Sequence, residues 1–107
     1  MIIIDFYVQP RGTLVGFHSS GHAGYAQQGS DVVCAAVSSA IYMAVNTVTD
    51  VLMVSPEILQ VNDGMLDFKV PAENADACNT VMMGLKLHLI GLEEQYENCM
   101  RISYMEV

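Results

Sequence analysis

The sequence predicts an α+β fold, a sheet packed with two helices, and three observations carry that prediction. Short alternating apolar runs lie near the start, middle and end of the chain, and two longer stretches carry apolar residues at helical spacing. Gly, Pro and an Asn-Asp-Gly turn punctuate the boundaries between them. The resulting order is ββαββαβ, which most simply makes a mixed or antiparallel sheet packed on two helices. With 107 residues and no linker or repeat, residues 1–107 form a single domain.

Each element follows from its own pattern. Residues 1–8 alternate, with Ile2, Ile4, Phe6 and Val8 on one face and Asp5 and Tyr7 on the other, as a strand requires. Pro10-Arg11-Gly12 breaks the run, and residues 13–19 resume as a second strand, so the pair reads as an antiparallel hairpin. Residues 21–29 have no period and contain Gly21, Gly24 and Gly29, which marks a loop. Ser30 or Asp31 then caps a helix whose Val33, Val37, Ile41, Ala44 and Val48 recur at helical spacing, and Pro56 stops it near Ser55. This helix is apolar nearly all round, which predicts burial or cover by a second subunit. Strands at 57–62 and 65–70 meet at Asn62-Asp63-Gly64, a hairpin signal. A second helix opens at Asn74 or Asp76 and aligns Cys78, Met82, Leu85, Leu89 and Tyr96 in one stripe, with His88 at its border as a partly buried residue. Its Gly84 and Gly91 each cost about 1 kcal/mol against alanine, so close packing against another backbone is expected there. Residues 100–107 form the last strand.

Composition narrows the function classes. Twelve acidic residues against four basic ones leave a formal charge of −8, a field that repels phosphate backbones, so no direct nucleic-acid partner is expected. Hydrophobic residues reach 52% and charged ones only 15%, an apolar surplus that predicts a homo-oligomer. Cys34, Cys78 and Cys99 are odd in number, widely spaced and without a Cys-x-x-Cys pair, which argues for free thiols rather than a disulfide framework or a zinc knuckle. The N-terminus has no basic region followed by a cleavage site, which predicts a cytoplasmic protein. The uncharged run at 32–49 approaches membrane-span length but carries Ser38, Ser39, Asn46, Thr47 and Thr49, so it reads as a buried helix.

The strongest chemical constellation is His22 in the glycine loop with Cys34 in the first turn of the long helix. A thiol there meets the positive end of the helix dipole and unpaired N–H groups, which favour the thiolate and could also hold an oxyanion. A histidine on a loop folding over the helix start could take the thiol proton and return it to a leaving amine. Asp31 and Ser38 share the helix face of Cys34. Asp31 either orients the imidazole or only caps the helix, and its charge beside the thiol is favourable only if His22 or a backbone donor neutralises it. Ser38 is a small packing residue or a substrate contact. Cys78 and Cys99 read as packing residues. His18 and His22 stand at His-x-x-x-His spacing but straddle a strand end and a loop with no third ligand nearby, so no metal and no cofactor are expected. Gly21, Gly24, Tyr25 and Gly29 form the substrate loop, and its closure would carry Tyr25 over an apolar groove and His22 to Cys34.

Gly21-His22-Ala23-Gly24-Tyr25-Ala26, followed by Gly29-Ser30-Asp31-Val32-Val33-Cys34-Ala35-Ala36-Val37-Ser38, resembles the signature of the ribosomal-processing cysteine protease Prp family. The resemblance extends to the length and element order of the whole chain. It implies that His22 and Cys34 are the catalytic pair. It also implies a homodimer that removes a short N-terminal extension from a basic protein of the large ribosomal subunit, cutting after paired aromatic residues. Two other readings stand beside it: a non-catalytic ribosome-associated binding module, and a zinc-dependent hydrolase using His18 and His22.

Overall fold

In the computed structural model, which describes residues 1–24, 26 and 31–107, β1 (Ile2–Val8) and β2 (Leu14–Ser20) form the expected antiparallel hairpin. β3 (Ile58–Asn62) and β4 (Met65–Lys69) form the second, joined through Asn62-Asp63-Gly64. Neither hairpin can bury a face alone. They join edge to edge where β4 pairs antiparallel with β2, and β5 (Met100–Glu106) adds in parallel to the far side of β1. The sheet order is therefore β3-β4-β2-β1-β5, a mixed sheet.

The register aligns Phe6, Phe17 and Phe68 across the three central strands, and all three are fully buried. Their rings touch in sequence at 6.1 and 5.6 Å between centroids, and Tyr104 on β5 extends the row at 6.3 Å from Phe6. α1 (Val32–Asn46) and α2 (Ala75–Gln95) pack against each other, and α2 lies along β2 and β5. Val33, Val37, Ile41 and Ala44 of α1 and Cys78, Met82, Leu85 and Leu89 of α2 supply their half of the core. The opposite sheet face carries a row of polar side chains. There the register sets Asp67, His18, Asp5 and Ser103 in one row, with Ser103 donating its hydroxyl to Asp5 and the Tyr7 hydroxyl to Asp67 at 2.6 Å.

α1 is buried within the chain on one side only, with Val32, Tyr42 and Met43 exposed, so full burial within the chain is corrected, and the exposed side is the one that a second subunit would cover; Val32–Val51 is long and apolar enough to cross a membrane by length and composition alone. Two further expectations are corrected. Gly84 and Gly91 are exposed, with open space where a side chain would stand. Each lies two positions past a core residue, Met82 and Leu89, which is about 200° round the helix and so on its outer face. His88 is exposed as well, because it stands one position from Leu89, about 100° round the helix. At its C-terminal end α1 widens into a π-helical turn, Thr47–Val51, in which Thr47 and Thr49 bond back to the carbonyls of Met43 and Val45.

Candidate active site

Asp31 builds the start of α1. It is the N-cap residue, buried to 6% exposure, and its Oδ1 accepts the backbone N–H groups of Val33 at 2.9 Å and Cys34 at 3.1 Å. Its Oδ2 accepts the Ala26 N–H at 3.4 Å, which ties the preceding loop to the helix start. The carboxylate is thus met by backbone donors, the condition under which a negative charge next to a thiol is tolerable. This arrangement corrects one expectation. The N–H groups of Val33 and Cys34 are bonded to their cap, so they do not stand open for an oxyanion.

Cys34 follows in the first turn of α1, half-buried, and its Sγ accepts the Ala23 N–H at 3.2 Å. Cys78 and Cys99 are buried, and all three cysteines are free thiols. Burial pushes the Cys78 thiol up, away from the reactive thiolate form.

His22 and Cys34 open into one cavity of about 370 Å³, which also receives Gly21, Gly24, Asp31 and Ser38. No hydrogen bond joins the imidazole to the thiol. The partner of Sγ among the described residues is the Ala23 N–H. Tyr25 and Gly29 lie outside the described residues, and with them the expected lid motion of their loop. His18 does not join the group: it stands on the polar face of the sheet, in register with Asp5 and Asp67, whereas Ser19 beside it lines the cavity. The His18–His22 pair therefore does not converge on one point. Among the described residues, no three His, Cys, Asp or Glu side chains are placed to hold a metal ion.

Several lining residues were not singled out from the sequence. Ile41 and Tyr42 stand about two helical turns from Cys34, and Val61 and Leu66 face them from the β3–β4 hairpin, giving the cavity an apolar wall. Their helical offset from Cys34 was a usable signal for the first two. The turn Asn62-Asp63-Gly64 also lines the cavity. It arrives there only because β4 pairs with β2, a long-range pairing that no local pattern announces.

The model of the cysteine protease Prp family matches residues 1–101. The chain belongs to that family. The ribosomal processing cysteine protease Prp of Staphylococcus aureus is 27% identical over 105 residues, 97% of this chain and 99% of the relative. The protein of that name from Bacillus subtilis is 27% identical over 96 residues, 84% and 85% of the two chains. The crystal structure of S. aureus Prp with a covalently linked product peptide superposes with a TM-score of 0.90 at 25% identity, covering 98% of this chain and all of the other. SMU.848 from Streptococcus mutans shares the fold, with a TM-score of 0.80 at 22% identity, covering 100% of this chain and 96% of the other. The single-domain α+β architecture predicted from the element order is thus the Prp fold.

Proposed function

We propose that this Prp-family chain is a cysteine endopeptidase in which Cys34 is the nucleophile and His22 the general base. The observation that carries the proposal is a half-buried thiol in the first turn of α1, in the same cavity as an exposed imidazole, with a backbone N–H already bonded to its sulfur. Sγ attacks the scissile carbonyl while His22 takes the thiol proton. The tetrahedral carbon collapses to a thioester as the protonated imidazole gives its proton to the leaving amine. Water then attacks the thioester with His22 again as base, releasing the acid product and restoring the thiol. The oxyanion forms on the carbon that Sγ has just bonded, so the Ala23 N–H, which reaches the free sulfur, can turn to it in the tetrahedral intermediate, before collapse to the thioester.

The substrate reading follows the family. The S. aureus and B. subtilis relatives are named for ribosomal processing, and a solved relative holds a product peptide. We assign to this chain the removal of an N-terminal extension from a basic large-subunit ribosomal protein, cutting after aromatic residues. The wall of Ile41, Tyr42, Val61 and Leu66 suits a bulky apolar side chain beside the scissile bond. Direct nucleic-acid contact has no place in this reading, which sets the enzyme in the cytoplasm as a homodimer. The apolar surplus supports the second subunit, since Val51, Met53 and Leu87 are 73%, 79% and 74% exposed.

Incubation with the extended ribosomal protein tests the reading. Cys34→Ala should abolish cleavage with the fold intact, while Cys78→Ala and Cys99→Ala stay active. His22→Ala should lose about 10²–10⁴-fold, the usual contribution of a positioned histidine. Wild-type turnover in Cys34→Ala would refute the mechanism.

A further inference from the structure

The β3–β4 turn lies beside the proposed base. A methyl group built on Gly64 would stand 3.2 Å from Nε2 of His22, with Cε1 and Cδ2 at 3.7 and 3.9 Å, so the turn lies against the distal edge of the imidazole. Independently, the Gly64 carbonyl accepts the N–H of Gly21, the residue before His22, at 2.9 Å. One residue therefore both bonds the main chain of the histidine segment and leaves open the space beside its ring. The pairing of Ser20 with Met65 brings the two segments to this separation.

We infer that Gly64 is a positioning residue for His22: its missing side chain leaves a seat for the imidazole, and any Cβ there would press the ring aside by a few tenths of an ångström. The inference rests on reading His22 as the base for Cys34. Gly64 has φ of +73°, a left-handed value that most residues avoid, so the turn alone favours glycine. The contact with the imidazole is a second demand, and the two can be separated. Gly12 also has a left-handed φ, +95°, but nothing lies within 4 Å of a side chain built there. Gly12→Ala therefore carries the backbone strain without the contact, in the β1–β2 turn away from the cavity. Gly64→Ala carries both. Gly64→Asn adds the same Cβ with a residue that visits left-handed angles more readily.

The test follows the rate of Cys34 alkylation by iodoacetamide, read on the Cys34 peptide by mass spectrometry, across the pH range in which imidazole titrates. Wild type, Gly64→Ala, Gly64→Asn, Gly12→Ala and His22→Ala are compared, with kcat and KM measured on the extended ribosomal protein. Both Gly64 variants should move the pH profile toward that of His22→Ala and lower kcat on the order of tenfold, with KM changed by no more than about twofold, as expected for a displaced catalytic group. Gly12→Ala should overlay the wild type. Gly64 variants that also overlay the wild type, while His22→Ala does not, would overturn the seat and leave the Cys34–His22 reading standing. A wild-type profile that His22→Ala leaves unchanged would overturn both.

Discussion

Asp31 shows how one side chain can set the geometry of the thiol proposed here as the nucleophile. By capping the N–H groups of Val33 and Cys34 it fixes the turn from which Sγ projects, and by holding the Ala26 N–H it ties that turn to the histidine loop. Asp31→Ala should cost about 1 kcal/mol, the usual loss of an N-cap, and lower the rate by loosening Cys34. Asp31→Asn keeps an acceptor for the two helix N–H groups but turns a donor toward Ala26, so its losses in unfolding midpoint and kcat should be smaller. An asparagine variant as impaired as alanine in rate, yet fully stable, would assign the charge itself a role in catalysis. Tyr7 offers a separate check on the polar sheet face. Burial, and then the hydrogen bond and charge of Asp67, raise its hydroxyl pKa far above the ordinary phenol value. Above about pH 10 the unfolded chain loses a phenolic proton that the folded chain retains, so stability should fall as pH rises past that point. Tyr7→Phe should flatten that alkaline decline in a denaturant titration series, while removing a hydrogen bond worth about 1 kcal/mol at neutral pH.

The elements divide into those a local pattern reveals and those it does not. The alternation of Ile2, Ile4 and Phe6, the Asn62-Asp63-Gly64 turn and the Cys78–Leu89 stripe each appear in the structure as strand, hairpin and buried helix face. Local chemistry suffices for these because period and turn residues act within a few positions. The same patterns overreached where burial depends on neighbours. The stripe tells which side of α2 is covered but not how far the cover reaches, so the close backbone packing expected at Gly84 and Gly91 and the partial burial expected of His88 at the stripe's border are not found, and all three are exposed. Strand order is likewise a property of pairs: the β2–β4 pairing, on which the Gly64 contact depends, joins segments distant in sequence. At the site, the sequence pattern singled out Cys34, His22, Asp31 and Ser38, and the structure gathers all four around one cavity. It did not single out Ala23, whose contribution is a backbone N–H that every residue but proline carries.

At the scale of the whole molecule, the charge of −8 surrounds a cavity whose described lining includes Asp31 and Asp63 but neither lysine nor arginine. A basic substrate should be steered toward it, and screening weakens such steering. Raising the salt concentration should therefore lower kcat/KM, chiefly through slower association, and a value unchanged across ionic strength would remove charge from the recognition account. The sharpest test of the central claim uses the intact protein and its three thiols at once. A peptide ending in phenylalanine with a chloromethyl ketone in place of the scissile bond should alkylate the protein once, and peptide mapping should place the adduct on Cys34, with Cys78 and Cys99 unmodified and activity lost in step with labelling. Full loss of activity with the adduct on another residue, or complete Cys34 labelling with cleavage retained, would contradict the assignment of Cys34 as the nucleophile.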